Sequence, residues 1–339
     1  MARIHHATLA LGLLVALGAA CDRSRAPEPE VVPPASPPAN PSGAPSVAAP
    51  AASLSTKLRR AAPDRVVAIG DVHGDLDTFE RALRLAGAID ARGHWSGGTL
   101  VLVQTGDEID RGNDDRAVLD LVEGLKKEAA AAGGEVIALL GNHEIMNASA
   151  DFRYVTPRGF ASFSPAGASS LPAADTAAPT RGRMQAFAPG GTYASMLAGR
   201  PLVAEVGDTV FVHGGVLPKH VAYGLDRMND ELDAWLTGKR QTPPSIVVAD
   251  DGPVWTRAYS GEDAAPDCSA LTKTLARLGA ARMVVGHTVQ KEGMNAACDG
   301  KVWRIDVGLS HVYGGPVEAL EIRGDHATVL REEAGAPKP

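Results

Sequence analysis

Short β-branched runs recur along this chain from residue 65 onward. Arg65-Val66-Val67-Ala68-Ile69 leads into Gly70, Thr99-Leu100-Val101-Leu102-Val103 leads toward Gly106, and Glu135-Val136-Ile137-Ala138-Leu139-Leu140 leads into Gly141. Near-continuous apolar runs of this length predict strands buried on both faces. Between them, Leu76 to Ala86 and Asp115 to Ala130 carry apolar residues at helical spacing. Strands alternating with helices predict right-handed βαβ units and a parallel sheet. Further strands are expected at Leu202 to Val206, Thr209 to Val212, Arg282 to Val285, Val302 to Ile305, Val317 to Ile322 and Ala327 to Leu330. The last of these are separated by short polar turns, which predicts a second sheet with antiparallel pairing. The fold class is α/β, and no internal repeat is present.

Two stretches break the pattern. Residues 22–63 contain a long run of Pro, Ala, Ser and Val, a composition that has little to pack and reads as an extended tether. Residues 147–190 are rich in Pro, Gly, Ser and Ala, with aromatics at Phe152, Tyr154, Phe160, Phe163 and Phe187. A long, weakly patterned insertion is either a lid facing the site or a surface insertion without a role. The folded domain is expected over residues 64–333.

Residues 1–21 read as a targeting segment. Arg3 gives a positive start, an apolar run extends from Leu9 to Ala20, and small residues lead into Cys21. The run is too short to span a bilayer comfortably. Leu17-Gly18-Ala19-Ala20-Cys21 resembles a lipoprotein processing box, in which Cys21 would carry a lipid anchor; ordinary signal cleavage nearby is the alternative. Either way the chain is expected to be exported, to a periplasmic or cell-envelope location.

Charge narrows the functional classes. A net charge of −7 leaves no basic field to track a nucleic-acid backbone, so no nucleic-acid partner is expected and any phosphate must be held by a few cations in a cleft. Cys268 and Cys298, the two cysteines besides Cys21, could be disulfide-bonded in an oxidising compartment or stand as separate buried thiols.

The chemistry lies where strands end. Gly70-Asp71-Val72-His73-Gly74 follows the first run, and alternation along an extended backbone would put Asp71 and His73 on one side. Gly106-Asp107-Glu108-Ile109-Asp110-Arg111-Gly112 follows the second and Gly141-Asn142-His143-Glu144 the third. His213, in Val212-His213-Gly214-Gly215, and His287, in Val285-Gly286-His287-Thr288, close later runs in the same way. Carboxylates and imidazoles suit Zn, Fe or Mn ions, and the carboxyl edge of a parallel sheet is where such sites are built.

These five motifs, in this order, resemble the calcineurin-like metallophosphoesterases over roughly Asp64 to Leu330. Trp95-Ser96-Gly97-Gly98, Gln104-Thr105-Gly106-Asp107, Gly141-Asn142-His143-Glu144-Ile145-Met146-Asn147 and Gly252-Pro253-Val254-Trp255-Thr256-Arg257 are similar, more narrowly, to the Shewanella-like protein phosphatases. The resemblance implies a β-sandwich of two mixed sheets flanked by helices, holding two divalent or trivalent metal ions. It implies that Asp71 and His73 bind one ion, that Asp107 bridges, and that Asn142, His213 and His287 bind the other. Asp110 and His143 would form an acid-orienting pair, and Arg111 and Arg257, with Asn142, would hold the phosphate. A carboxylate shared by two ions, an acidified water and arginine forks together suit in-line attack on phosphorus without a phosphoenzyme.

Bland roles compete for some of these residues. Arg257 could instead stack on Trp255 or pair with Asp250 or Asp251, Glu144 reads as a helix-start or ligand-supporting acid, and Asp306 as a ligand-supporting acid. The expected function is a metal-dependent phosphomonoesterase acting on phosphoproteins, at Tyr or Ser/Thr, or on small phosphoesters. Hydrolysis of nucleotides or dinucleoside polyphosphates is the rival within enzymes, and a non-catalytic envelope lipoprotein keeping the fold is the rival outside them.

Overall fold

The computed structural model describes residues 54–163, 177–261 and 265–332. The targeting segment, Cys21 and the tether up to residue 53 lie outside the described residues. The described chain forms eleven strands: β1 Arg59–Arg60, β2 Val66–Ile69, β3 Val101–Gln104, β4 Glu135–Ala138, β5 Val203–Val206, β6 Thr209–Val212, β7 Arg282–Val285, β8 Asn295–Ala297, β9 Val302–Arg304, β10 Glu318–Arg323 and β11 His326–Arg331. They make two mixed sheets, ordered β11-β10-β2-β3-β4 and β1-β5-β6-β7-β9-β8.

In the first sheet, β2, β3 and β4 are parallel neighbours joined through the helices Leu76–Leu85 and Asp115–Ala131. Every residue of β2 and β3 is buried, as their unbroken apolar runs require. Asp75 starts the first helix by accepting the Thr78 N–H at 3.1 Å. The second buries Val118, Val122, Leu125 and Ala129 at helical spacing against the same core.

The second sheet separates two cores by its pleat. Ala204, Val206, Phe211 and Val284 face the first sheet, whereas their neighbours Val203, Val210, Val212, Met283 and Val285 pack on the other side with Leu225, Met228, Leu232, Trp235, Leu271 and Leu275 of two helices. This is the sandwich flanked by helices that the motifs imply.

The structure departs from the sequence expectations at three places. The fold begins before residue 64, because Leu54 and Leu58 are buried and β1 pairs with Glu205–Val206 of β5. The closing hairpin β10–β11 does not belong to the second sheet: β10 pairs antiparallel with β2 and so extends the first. The described parts of residues 147–190 are packed in, with Phe163 and Phe187 buried beside Leu140 and Ile145.

Cys268, opening the helix Cys268–Leu278, is bonded to Cys298 just after β8, across 30 residues of sequence. Closing a loop of that length is worth on the order of 3 kcal/mol through the unfolded state. Cys268→Ser with Cys298→Ser should therefore lower the melting temperature by several degrees. Two reactive thiols titrated in the native, unreduced protein would contradict the bond.

Candidate active site

The loops after β2, β3, β4, β6, β7 and β9 converge on one cavity of about 680 Å³, lined among others by His73, Asp107, Arg111, Asn142, His143, Arg257, His287 and Asp306. Close approach of the loops depends on glycine. A Cβ on Gly141 would meet Asp107 Oδ1 at 2.2 Å, and one on Gly286 would meet Asp71 Oδ1 at 2.4 Å. Five site residues that are not glycine, His73, Asp107, Asp110, Arg111 and His287, have φ between +49° and +73°. Such left-handed positions are costly and persist where surrounding contacts dictate them. Asp71 and His73 do face the same site, with Asp71 Oδ2 4.0 Å from His73 Nε2. Strand alternation is not the reason, since β2 stops at Ile69 and His73 leaves the extended region.

Asp107 is the centre of the arrangement. Its Oδ2 lies 3.3 Å from His213 Nε2, 3.9 Å from His73 Nε2 and 3.8 Å from His143 Nε2. Asn142 Oδ1 and His287 Nδ1 approach the same His213 nitrogen at 2.9 and 3.2 Å. Two donor groups result, His73, Asp107 and His143 on one side and Asp107, His213 and His287 on the other, each with its ligand atoms within 4.8 Å of one another. Asp71 borders both, and His287 N–H reaches its two carboxylate oxygens at 3.2 Å each.

Each imidazole is oriented by its far nitrogen. His73 Nδ1 faces the Ile109 carbonyl at 3.2 Å, His213 Nδ1 the Thr105 carbonyl at 3.0 Å, His287 Nε2 the Trp255 carbonyl at 3.1 Å, and His143 Nδ1 the Asp110 carboxylate at 2.7 Å. With those nitrogens donating, the other nitrogen of each ring turns its lone pair into the site. A buried set of inward lone pairs and carboxylates is what divalent cations fit.

The electrostatics say the same. Burial would raise the Asp107 carboxyl, yet the charges of His213 and His143 hold it well below the ordinary range. Burial opposes charging His213, but Asp107 and Asp71 carry it to about 10, whereas burial and neighbouring His143 push His73 down to about 3. Asp71 is forced upward by burial and by Asp306, whose own carboxyl rises to about 6 mainly through burial. Positive charge is wanted between these groups.

Glu144 supports the centre without entering it. Its carboxylate accepts the N–H groups of Asp107, Glu108 and Gly141 at 3.0, 2.9 and 2.8 Å, tying the β3 loop to the start of the helix Asn142–Ala148. The helix-start reading thus holds. Burial opposes charging His143, and Asp107 and Asp110 together raise its pKa above the ordinary imidazole value.

Arg111 lies across the mouth, its guanidinium 4.6 Å from the Tyr154 ring and 5.3 Å from the Tyr313 ring, with Nη2 3.3 Å from His143 Nε2. Arg257 lines the cavity, while Asp251 is paired with Lys219 instead. Trp255 meets the His287 ring edge-on.

Sequence reasoning missed the support behind His143. Asn147, Asp115 and Arg183 surround Asp110, and Arg183 is completely buried. Tyr154 stood out only as one of several aromatics in the insertion, and Tyr313 not at all.

Comparison with known proteins agrees with this geometry. The family model described as calcineurin-like phosphoesterase matches residues 64–291. The chain is 40% identical over 297 residues to Shewanella-like protein phosphatase 2 of Arabidopsis thaliana, covering 78% of this chain and 76% of that one. It is 29% identical over 257 residues to Shewanella-like protein phosphatase 1 of Plasmodium berghei, covering 73% and 67%. A crystal structure of a mutant cold-active protein tyrosine phosphatase superposes with a TM-score of 0.68 at 25% identity, covering 82% of this chain and 85% of that one. The carboxylate and imidazole cluster at the strand ends, the two mixed sheets and these relatives together place the chain in the calcineurin-like phosphoesterase family, as a metal-dependent phosphatase similar to the Shewanella-like protein phosphatases.

Proposed function

We propose that this protein is an exported phosphoprotein phosphatase that works with two metal ions sharing Asp107. The observation that carries the reading is that Asp107 belongs to both donor groups, with imidazoles on each side of it. Asp71 and His73 would hold one ion, and Asn142, His213 and His287 the other, with Asp107 common to both. Mn, Fe and Zn all suit these donors. Ions bound there would lower the pKa of water and draw charge from the phosphoryl oxygens.

The chain's own groups do the rest. Arg111, held between Tyr154 and Tyr313, and Arg257, which lines the same cavity, would offer planar donor forks to phosphoryl oxygens, with Asn142 in the same lining. His143 delivers a proton from Nε2 to the departing oxygen while Asp110 holds Nδ1 and stabilises the charged ring. The flat walls of Tyr154, Tyr313 and Trp255 favour a phosphotyrosyl ring over a small phosphoester. One solved structure at 25% identity, described as a cold-active protein tyrosine phosphatase, supports the same substrate class. A panel of phosphotyrosyl and phosphoseryl peptides and nucleotides, offered to metal-reconstituted protein, tests this reading; turnover of nucleotides alone would overturn it.

Export rests on the apolar run Leu9 to Ala20 before Cys21 and on the Pro-rich stretch after it. The Cys268–Cys298 bond suits an oxidising compartment. Cys21→Ser should release the protein from membranes into the soluble fraction. Wild-type protein found in the cytosol with Met1 retained would refute both export and anchoring.

Proton donation has its own test. A serine alkoxide needs protonation as its bond to phosphorus breaks, whereas nitrophenolate departs readily. His143→Ala should lose most of the roughly 10²–10⁴-fold that general acid catalysis contributes on phosphoserine peptides, and far less on nitrophenyl phosphate. Ion content is measured alongside, because His143 also falls in one donor group. Equal slowing of both esters with ions retained would make His143 a charge stabiliser, and loss of an ion would make it a ligand.

A further inference from the structure

We propose that Arg183 is a positioning residue for the proton-donating pair, brought to it by the segment inserted at residues 147–190. The inference rests on the reading of His143 as proton donor. Arg183 makes four hydrogen bonds out of contact with solvent: Nε to Asn147 Oδ1 at 2.7 Å, Nη1 to Asp115 Oδ2 at 2.6 Å and to the Gly159 carbonyl at 2.9 Å, and Nη2 to Asp110 Oδ1 at 2.8 Å. Its partners then bind Asp110 themselves. The Asn147 amide donates to both Asp110 oxygens at 3.0 Å, and Asp115 Oδ1 accepts the Asp110 backbone N–H at 3.1 Å. Side chain and backbone of Asp110 are thus fixed by one guanidinium-centred network, with Oδ2 aimed at His143 Nδ1, 2.7 Å away.

Two further observations point the same way. Asp110 and Arg111 are consecutive residues with φ of 73° and 67°, a conformation neither adopts readily without outside support. Arg183 lies over the rings of Phe163 and Phe187, 5.0 and 5.1 Å from their centroids, which exclude water from its faces. Gly159, Phe163, Arg183 and Phe187 all come from the insertion.

Stability alone is a poor reason for such a cluster. Burying a guanidinium and two carboxylates carries a desolvation cost that apolar side chains of equal volume avoid. Ions supply something that apolar packing lacks, a fixed direction for the Asp110 carboxylate. A planar fork meeting three side chains and a carbonyl at once sets that direction, and an ammonium on a flexible stem cannot reproduce it.

The test compares Arg183→Lys with the wild type by leaving group and by the His143 ring itself. In the Lys variant, kcat on a phosphotyrosyl peptide, whose tyrosinate leaves less readily than nitrophenolate, should fall about 10-fold further than kcat on nitrophenyl phosphate, a size in keeping with sub-ångström misplacement. KM for both should stay within about twofold, because Arg183 itself contacts none of the phosphate-holding groups. In metal-free protein labelled with ¹⁵N-histidine, the His143 Nδ1–H resonance should move upfield or broaden away. Equal slowing of both esters, or an unchanged His143 resonance, would overturn the assignment. Should Arg183→Lys fail to fold, Asp115→Asn keeps the acceptor for the Asp110 N–H while weakening the seat of Arg183. It should show the same leaving-group bias to a smaller degree, and absence of bias would overturn the proposal. If the wild type hydrolyses neither ester, the phosphatase reading fails, while the resonance still decides whether Arg183 holds the pair.

Discussion

A buried carboxylate at the end of a central strand has to be given positive charge, and in this fold that demand falls on Asp107. The residue is 2% exposed and its side chain sits among the imidazoles of His73, His143 and His213. Desolvation alone would neutralise an isolated carboxylate. Here the charges of His213 and His143 keep it ionised, and those rings and His73 are held at their far nitrogens by carbonyls and by Asp110, so that cations entering between them would take the place of the protons. The parallel order β2-β3-β4 brings the Asp71, Asp107 and Asn142 loops to one edge, and β6 and β7 bring His213 and His287 to the facing edge. Absence of side chains at Gly141 and Gly286 lets the loops touch. The sandwich is the scaffold that holds these five strand ends together.

Much of this was legible from local pattern. Central strands buried on both faces need unbroken apolar runs, and such runs ending in glycine and a metal-capable residue mark the site without any knowledge of tertiary contacts. All ten residues expected at the site are indeed gathered around the cavity or directly behind it. What escaped depends on distant partners. Strand β1 is two residues long, and its pairing with β5 joins Arg59 to Glu205. Sheet membership of the final hairpin is decided by β10 meeting β2, with Leu320 opposite Ala68, which no local turn signal encodes. Arg183 meets Asp110 across 73 residues and Asp115 across 68, from a segment with no clear periodicity.

The inserted segment changes how the site is understood. Its described parts contribute Asn147, Tyr154, Gly159 and Arg183, so one excursion of the chain both frames the cavity mouth and braces Asp110 and its bond to His143 from behind. Positive φ at five site residues is the local cost of aiming carboxylates, imidazoles and a guanidinium into one space, and Glu144 and Arg183 are buried groups that tie those loops down.

The central claim is that Asp107 is shared by two ions. Crystals of metal-reconstituted protein, with anomalous scattering recorded at the metal edge, address it directly. The account predicts two peaks about 3.5–4 Å apart, both within bonding distance of Asp107, one also near Asp71 and His73 and the other near Asn142, His213 and His287. A single peak, or two peaks of which only one touches Asp107, would contradict it.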